Sequence, residues 1–506
     1  MHYYIGVDLG TSGTKTVLYT AKGQALASHT VEYPLYQYQN GWAEQDPQDW
    51  ANAAYEGIQS VLKTSTVNAA DIQALGISGQ MHGAVLLDKD GNVLRKAILW
   101  CDGRTVPQCE EIHHIIGKER LVEICANPAL PGFTAGKIRW VQQNEPEIFA
   151  KTACILLPKD YVRYCLTGVL CQEYSDASGT NLLDIHTRTW SKEILQALQI
   201  PESILPPLYE SLDIVGTITE QAGQRTGLAM HTKVIAGAGD NAAAAIGTGI
   251  SKVGDAFITI GTSGVIFAHA DEVHIDPECR VHTFCSAIPK AFAVMSCTLS
   301  AGLSYRWLRD TVFSKEIEQA KAQGIDPYVL MNELAKDSPI GANKLLFLPY
   351  LMGERSPLLD ANARGVFFGL SAMHGKGDLS RAVMEGVSYS QKACLDVIQG
   401  MGIEINSLLA CGGGARSPLW RQMLADILRC PLQTATQSNE GPALGVMILS
   451  AVACGEYSSI EEACKAIIEP NSTTSPQHSE AYEVYYQLFK ALYPSLQTHF
   501  AQLSAL

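Results

Sequence analysis

The sequence has no basic run, and its 37 Lys and Arg residues are outnumbered by 51 Asp and Glu residues, for a formal net charge of -14. Binding to nucleic acid needs clustered Lys and Arg, so we expect no nucleic-acid partner. No segment reaches the roughly 18 uninterrupted apolar residues of a membrane span. No basic stretch followed by an apolar region opens the chain. These absences predict a cytoplasmic protein that does not bind membranes.

The sequence also lacks any CxxC pair, although it contains 14 cysteines. They are scattered from Cys101 to Cys464, and many stand in apolar runs. Buried free thiols in a reducing compartment explain this distribution better than disulfides or a zinc site.

The nucleotide-binding signature GxxxxGK(S/T) and the protein-kinase motifs are missing as well, which excludes a P-loop kinase and a protein kinase. What the chain does have is a globular composition, with 47% hydrophobic and 17% charged residues. At 506 residues it is long enough for two or three domains.

The opening stretch from Tyr3 to Tyr19, YYIGVDLGTSGTKTVLY, predicts a β-hairpin of two buried strands around the turn GTSG. Glycines let backbone N–H groups approach an anion closely, and the hydroxyls and the lysine add donors and positive charge. A carboxylate at the end of the first strand is suited to a hydrated magnesium ion. The alternative is an ordinary glycine turn. The residues predicted for this site are Asp8 for magnesium and Gly10, Thr11, Ser12, Gly13 and Lys15 for phosphate.

A second copy of this pattern, FITIGTSGVIF, runs from Phe257 to Phe267. An internal repeat at this separation predicts two related halves, each offering one phosphate loop to a shared cleft. In the second loop the predicted residues are Gly261, Thr262 and Ser263. Because no low-complexity linker separates the halves, we expect domains 1–245 and 246–506 to meet at a hinged cleft.

Two polar segments in the first half are candidates for binding a small ligand. The turn GQMHG between two predicted strands offers Met81 and His82, although a lone histidine is more often structural. The segment ILWCDGR offers Asp102 and Arg104, whose side chains can bind sugar hydroxyls. The alternative for this pair is a helix cap by Asp102 with Arg104 in solvent. A small-residue loop at Ser175 to Thr180 is expected to lie over a ligand.

Asp240 and Asn241 follow a predicted strand, VIAGAG, and open an alanine-rich helix. A carboxylate at such a switch is poorly solvated and well positioned, which suits a general base. The segment GAGDNA also matches the dinucleotide fingerprint, but weakly, because the required acid does not end the next strand.

Further along, the turn Gly412 to Gly414 between a strand and a helix is expected to pack closely against a flat ring or a ribose. A tight corner without ligand is the alternative. The pattern also predicts the start of a helix at Met295 to Trp307 and a last core helix at Glu440 to Ala451.

Together these motifs resemble the FGGY family of carbohydrate kinases, and within it the bacterial xylulokinases. The resemblance covers nearly the whole chain. The segments that carry it are VDLGTSGTK at 7–15, GQMHGA at 79–84, LPKDY at 157–161, GAGDNAA at 237–243, IGTSGV at 260–265, LPYLMGERSP at 348–357, GVFFGL at 365–370 and CGGGARS at 411–417.

The resemblance implies an α/β protein of two actin-like, ribonuclease-H-like domains with ATP and sugar in the central cleft. It implies that Asp240 is the base for the sugar hydroxyl and that Asp8 lies near magnesium and the transferring phosphate. It also implies a sugar site of Met81, His82, Asp240 and Asn241, a second phosphate loop at Gly261 to Ser263, and a nucleoside end at Gly412, Gly413, Gly414 and Ala415.

The substrate that the resemblance implies is D-xylulose, phosphorylated by ATP to D-xylulose 5-phosphate. One departure concerns Cys101, which stands where xylulokinases usually carry Asn. The alternatives are a family member acting on gluconate, ribulose or a pentitol and, more distantly, an actin-like ATP-binding protein without kinase activity. A homodimer is the assembly expected on general grounds.

Overall fold

The computed structural model describes residues 2–436 and 441–506. Strands and helices alternate throughout, as expected for an α/β protein. The strands of the first half are β1 (Tyr3–Leu9), β2 (Gly13–Thr20), β3 (Ala25–Glu32), β4 (Glu44–Gln45), β5 (Ile72–Gly79), β6 (Val85–Leu87), β7 (Ala97–Ile98), β8 (Cys154–Leu156), β9 (Gln172–Glu173), β10 (Leu183–Asp184), β11 (Thr189–Trp190), β12 (Leu208–Tyr209), β13 (Ile214–Thr217), β14 (Lys233–Ile235) and β15 (Ala238–Gly239). Its helices are α1 (Pro47–Ser65), α2 (Val106–Ile116), α3 (Lys118–Cys125), α4 (Thr134–Asn144), α5 (Pro146–Lys151), α6 (Pro158–Thr167), α7 (Tyr174–Ala177), α8 (Lys192–Ala197), α9 (Glu220–Thr226) and α10 (Asp240–Gly247).

The second half continues this alternation. Its strands are β16 (Gly254–Ile260), β17 (Gly264–Ala270), β18 (His282–Cys285), β19 (Phe292–Thr298), β20 (Leu346–Leu348), β21 (Val366–Phe368), β22 (Ile405–Cys411), β23 (Leu432–Ala435) and β24 (Pro470–Thr474). Its helices are α11 (Gly302–Val312), α12 (Ser314–Gln323), α13 (Pro327–Asp337), α14 (Lys376–Gly400), α15 (Pro418–Leu428), α16 (Gly441–Ala453), α17 (Ile460–Ile467) and α18 (Ser479–Ser504).

The first sheet has seven strands in the order β13-β14-β5-β1-β2-β3, with β15 also paired to β5. The predicted hairpin is present as the antiparallel pair β1 and β2, and β3 extends it. On its other side β1 runs parallel to β5, which in turn runs parallel to β14 and β15. The carboxyl ends of β1, β5 and β15 therefore meet at one edge of the sheet.

The second sheet repeats this arrangement, in the order β18-β19-β17-β16-β22-β23-β24. Here β16 and β17 form the central antiparallel hairpin, β19 extends it, and β22 and β23 run parallel on the other side. The expectation of two related halves is confirmed, because β3-β2-β1-β5-β14-β13 corresponds to β19-β17-β16-β22-β23-β24, while β15 and β18 have no counterpart among the described residues. We call the regions around the two sheets the first and second domains.

Helix α16 belongs to the second half of the sequence but packs against the first sheet. A Cβ atom at Gly76 in β5 would lie 2.7 Å from the carbonyl oxygen of Val446 in this helix, and one at Gly6 in β1 would overlap the carbonyl of Ala443. The predicted core helix is present from Gly441 onward, and Glu440 lies outside the described residues. The two halves therefore share one helix layer.

Two local predictions were wrong. The segment Met295 to Trp307 is not the start of one helix: it contains the end of β19, a short loop and the beginning of α11. Its β-branched and small residues suit a central strand, which sequence periodicity did not distinguish from a helix. The segment Ser175 to Thr180 is not a loop but a buried helical turn formed by α7 and a 3₁₀ turn at Ser178–Thr180.

All 14 cysteines are free thiols, and most are buried, as predicted. Among residues 2–436 and 441–506, no helix combines the length and the apolarity that a membrane crossing needs.

Candidate active site

The edge at which β1, β5 and β15 end brings together the two carboxylates singled out from the sequence. Asp8 in β1 is paired in register with Ser78 in β5, and Ser78 is paired with Ala238 in β15. Asp240 follows β15 directly and opens α10. Parallel strands deliver their ends to the same edge, so distant positions in the chain become neighbours in space.

The surroundings of Asp8 combine burial with the negative charge of Asp240. Burial, and then the charge of Asp240, raises the pKa of Asp8 to about 7, against smaller lowering effects of Lys15 and Ser78. Two carboxylates that repel each other in a partly dehydrated site attract a divalent cation.

Asp240 is held by its neighbour Asn241. The Oδ1 atom of Asp240 accepts hydrogen bonds from the backbone N of Asn241 at 2.7 Å and from its side-chain Nδ2 at 2.9 Å. No hydrogen bond from another described residue reaches Oδ2, which leaves that oxygen available to a ligand. Burial raises the pKa of Asp240 to about 6, and the two bonds from Asn241 oppose this rise.

His82 and Met81 lie on the turn that follows β5, as predicted. The Nδ1 atom of His82 donates to the carbonyl oxygen of Gly179 at 2.8 Å, which leaves Nε2 as an acceptor. Burial, and then the charge of Lys137, lowers the pKa of His82 to about 3, so the ring is neutral. Met81 packs beside Gly239, directly before Asp240: a Cβ atom on that glycine would lie 3.0 Å from Met81 Cγ. This contact joins the turn to the strand that carries the candidate base.

The first phosphate loop is tied to the same turn by side chains that the sequence analysis did not identify. The hydroxyl of Thr11 donates to Gln80 Oε1 at 3.3 Å, and Gln80 Nε2 donates to Gln45 Oε1 at 2.9 Å. Gln45 Nε2 in turn donates to the carbonyl of Thr11 at 2.7 Å, and Trp100 Nε1 donates to the Thr11 hydroxyl at 3.0 Å. This closed network holds Thr11, and with it the first loop, against the turn that carries Met81 and His82. Gln80 stood within GQMHG and Trp100 within ILWCDGR, whereas Gln45 stood in no recognised motif.

Gly10 and Gly13 play different structural roles in the first loop. The N–H of Gly10 donates to the carbonyl of Gly13 at 3.0 Å, which closes the turn. A Cβ atom at Gly13 would lie 2.7 Å from the carbonyl oxygen of Val31 in β3. Gly13 is therefore required by strand packing, while Ser12 is exposed at the tip of the loop. Lys15 stands opposite Asp8 in the register of β1 and β2.

The second phosphate loop and the triple-glycine turn also meet. Thr259 in β16 is paired in register with Cys411 in β22, so the residues that follow these two strands are adjacent. Gly412 has φ +82°, and a Cβ atom on it would lie 2.7 Å from the carbonyl oxygen of Ile260. Around Gly413 there is nothing within 4 Å of such an atom. The predicted residues Gly261, Thr262, Ser263, Gly412, Gly413 and Gly414 thus lie together at the end of the second sheet, whereas the predicted Ala415 is buried.

The side chains of Asp102 and Arg104 contact other residues of this chain and do not face open space. Their side chains are 0% and 2% exposed and pair at 2.7 Å, and Arg104 also pairs with Glu44 at 2.7 Å. The guanidinium lies 3.6 Å from the ring centroid of Trp42. Arg104 is therefore not solvated, and α2 begins at Val106 without a cap from Asp102. Direct sugar binding by this pair stays a prediction without structural support.

A buried charge cluster behind the site was not predicted as functional. Lys159 Nζ lies 2.7 Å from Asp160, 3.3 Å from Glu173 and 3.3 Å from Asp176, all with fully buried side chains. Glu173 accepts from Ser175 Oγ, and Ser175 Oγ accepts from the backbone N of Gly239 at 3.0 Å. The cluster thereby supports the residue before Asp240. The sequence signal was the charged pair inside the apolar segment LPKDY.

Profiles of a known protein family match both halves of the chain. The profile of the FGGY family of carbohydrate kinases, N-terminal domain, matches residues 3–247, and that of its C-terminal domain matches residues 256–454. The chain belongs to the FGGY family of carbohydrate kinases. This FGGY kinase is a sugar phosphotransferase that uses ATP and a small-molecule substrate, and its two-domain actin-like fold is confirmed.

Individual relatives of this FGGY kinase cover almost its whole length. It is 40% identical to the xylulose kinase of Bacillus subtilis (strain 168) over 495 residues, which is 97% of each chain. A crystal structure described as a xyloylose kinase from Brucella ovis superposes with a TM-score of 0.90 at 36% identity, covering 98% of this chain and 100% of that one. A gluconate kinase from Lactobacillus acidophilus superposes with a TM-score of 0.92 at 28% identity, covering 99% of both chains.

Proposed function

We propose that this FGGY kinase transfers the γ-phosphoryl group of ATP to D-xylulose and releases D-xylulose 5-phosphate. The observation that carries the choice of sugar is the 40% identity, over 97% of the chain, to a xylulose kinase. The turn with Met81 and His82 beside Asp240 and Asn241 gives this sugar a site with donors and acceptors of hydrogen bonds. Phosphoryl transfer itself needs mainly positioning, charge neutralisation and a base.

Asp240 is the proposed general base. Its Oδ2 atom is free of described partners, while Oδ1 is held by Asn241. A pKa of about 6 leaves the carboxylate ionised at pH 7 yet more basic than an ordinary aspartate. Both properties suit removal of the proton from the sugar hydroxyl as it attacks phosphorus.

Asp8 is the proposed ligand of Mg²⁺, which supplies positive charge to the phosphates of ATP when it is bound. The residues fit such an ion, because magnesium is usually held by one or two carboxylates together with substrate phosphates and water. The position of Asp8 and Asp240 at the same edge of the first sheet supports this assignment, and burial together with the charge of Asp240 raises the pKa of Asp8 to about 7.

The two GTSG loops are proposed to hold the phosphates of ATP from opposite sides of a cleft between domains 1–245 and 246–506. Gly10, Thr11, Ser12, Gly13 and Lys15 belong to one loop, and Gly261, Thr262 and Ser263 to the other. The segment of Gly412, Gly413, Gly414 and Ala415 is proposed to bind the nucleoside. Open space around Gly413 beside the second loop supports this placement. The cytoplasmic location and a homodimer remain predictions.

Other sugars are the second candidate. The high TM-score with a gluconate kinase supports it, since the fold alone does not distinguish the substrates. Cys101, next to the buried pair of Asp102 and Arg104, is the departure that bears on this choice. An actin-like protein without kinase activity is disfavoured, because it has no use for the sugar-facing residues around Asp240.

The deciding experiment measures ADP release from the purified protein with ATP and Mg²⁺, comparing D-xylulose with gluconate, glycerol, ribulose and xylitol. Strong stimulation by D-xylulose alone is expected. Stimulation by another member of the panel contradicts the proposed sugar and keeps the kinase. ATP hydrolysis that no sugar changes, together with filament formation, contradicts both.

A further inference from the structure

The segment GERSP, Gly353 to Pro357, is a motif of the chain to which the proposed function gives no role. Its backbone is fastened to the end of β19: Ser356 N donates to the carbonyl of Cys297 at 3.1 Å, and Cys297 N donates to Ser356 Oγ at 3.1 Å. Glu354, which is 3% exposed, accepts from the N–H of Leu299 at 2.8 Å. Arg355 therefore stands on a rigid support in the second domain.

This support is linked, through β18 and Phe133, to the turn of the first domain that carries Met81 and His82. β19 pairs with β18, in which His282 is opposite Met295. The ring of His282 lies 5.7 Å from that of Phe133, and Phe133 lies 4.7 Å from His82. The second domain thus forms a wall beside the turn that carries His82.

Two hydrogen bonds to β18 also join the first domain to this wall. Asn127 of the first domain donates to the carbonyl of Thr283 at 2.7 Å, and the N–H of Cys285 donates to Ser178 Oγ at 3.0 Å. Ser178 is next to Gly179, whose carbonyl holds His82. The position of β18 and β19 relative to His82 is therefore determined by hydrogen bonds on both sides.

Arg355 differs from the other cation near His82. Lys137 donates to the carbonyls of Pro131, Gly132 and Phe133 at 2.6–3.0 Å and is thereby satisfied. The partly exposed guanidinium of Arg355 has no hydrogen bond or ion pair with any residue in 2–436 and 441–506. Its charge nevertheless reaches both histidines: after burial, it lowers the pKa of His282, and it is one of the smaller causes of the low pKa of His82.

We propose that Arg355 is a sugar-binding residue supplied by the second domain, and that its guanidinium donates hydrogen bonds to oxygen atoms of the ketose across the pocket from His82. A guanidinium offers five donors and no acceptor, whereas the neutral His82 offers an acceptor at Nε2. The two side chains complement each other around a molecule that carries both hydroxyl and carbonyl oxygens. This inference rests on the proposed function, because it takes the substrate to be a polyhydroxylated ketose.

The test compares Arg355→Gln with Arg364→Gln in the full chain. Arg364 is a matched control in the same loop: it is exposed, and within the described part of the chain its side chain donates only to the backbone carbonyls of Ala361 and Ala363, at 2.8 Å each. Calorimetric titrations measure the dissociation constants of D-xylulose and, separately, of ADP with Mg²⁺, and thermal unfolding confirms that both variants are folded.

Arg355→Gln is expected to weaken D-xylulose binding at least about 10-fold, since a hydrogen bond to a charged group contributes about 1.5–3 kcal/mol. ADP binding is expected to stay within about 2-fold, and Arg364→Gln is expected to change neither constant. Arg355→Lys is expected to be intermediate, because it keeps the charge but not the fork of donors.

Unchanged D-xylulose binding by folded Arg355→Gln overturns the inference. Equal weakening of D-xylulose and ADP also overturns it, because that pattern indicates a phosphate-directed or purely structural role. Failure of the proposed function looks different: the unmodified protein then fails to bind D-xylulose and binds another sugar of the panel. In that case the two variants are titrated with that sugar, and selective weakening by Arg355→Gln is still required.

Discussion

At the scale of single residues, Asp240 is the proposed general base, and replacing it with Asn is the most direct test. Asn is isosteric, and the N–H of Asn241 can still donate to its remaining oxygen, so the fold is expected to persist. Turnover is expected to fall about 10²–10⁴-fold, which is what a general base typically contributes. Steady-state ADP release measures this loss, and unfolding temperature serves as the control. Near-normal turnover would exclude Asp240 as the base.

The pKa of Asp240 predicts a second residue-scale result. Because burial raises this pKa to about 6, the active carboxylate form is present above pH 7 and is lost as the pH falls through 6. At saturating Mg²⁺, kcat/KM is expected to decline about tenfold per pH unit below this point. An ordinary aspartate would keep its activity down to about pH 4.

Asn241→Ala sharpens that pH measurement. The Nδ2 bond of Asn241 stabilises the ionised form of Asp240, so removing it is expected to move the acid limb to higher pH. An acid limb that stays below pH 5 in the unmodified protein would contradict the assignment of this limb to Asp240.

Sequence reasoning identified most residues of the candidate site but not their partners. Asp8, His82 and Asp240 stood next to glycines at or near strand ends, where local patterns indicate side chains that can reach a ligand. Gln45 is the contrasting case: it closes the Thr11 network, yet it stands in a two-residue strand without a motif. Partners of this kind depend on tertiary packing, which no local pattern records.

At the scale of elements, the helical turn formed by α7 and Ser178–Thr180 holds the turn that carries Met81 and His82. Gly179 accepts from His82 Nδ1, and a Cβ atom on Gly179 would lie 2.5 Å from His82 Cε1. Gly179→Ala is therefore expected to displace the imidazole and to raise the KM for the sugar about 10-fold or more, because the bond to His82 is lost.

The KM for ATP is expected to change little in Gly179→Ala, because Gly179 belongs to neither GTSG loop and its Cβ would meet His82 and Met81. Gly400→Ala, at the end of α14, is the matched control, since a Cβ atom there has nothing within 4 Å. A parallel rise of both KM values would indicate general disruption of the fold rather than loss of the His82 contact.

The elements were predicted well where apolar runs flanked a recognisable turn or formed a uniformly apolar helix, and wrongly where small and polar residues left the pattern ambiguous. The two hairpins and α16 were recognised from their apolar patterns. The four-residue α7 was taken for a loop, because Ser, Asp and Gly are typical of both turns and helix starts. Its buried acid, Asp176, whose pKa burial raises well above the usual value, became explicable only beside Lys159.

At the scale of the whole molecule, the repeat of GTSG predicted two related sheets, and the structure has them in matching strand order. The division near residue 245 does not capture how α16 is used, because this helix comes late in the chain and packs on β1 and β5 of the first sheet. Its uniformly apolar sequence indicated burial but not the sheet against which it is buried.

The contact between α10 and α16 leads to the last prediction. A Cβ atom at Gly445 in α16 would overlap the carbonyl oxygen of Ala243 in α10, and one at Gly247 in α10 would overlap that of Gly441. The two helices therefore touch backbone to backbone. Gly445→Ala is expected to force them apart and to destabilise the protein by about 1–3 kcal/mol, the usual cost of overpacking.

Because α10 begins at Asp240, this separation also moves the candidate base. Gly445→Ala is thus expected to lower both the unfolding temperature and kcat, while the dissociation constant of ADP stays within about 2-fold, since both GTSG loops lie on other elements. Gly400→Ala again provides the control, with neither quantity lowered. A Gly445→Ala protein as stable and as active as that control would show that the helices accommodate a methyl group, and the close packing of α10 on α16 would then not be what holds Asp240 in position.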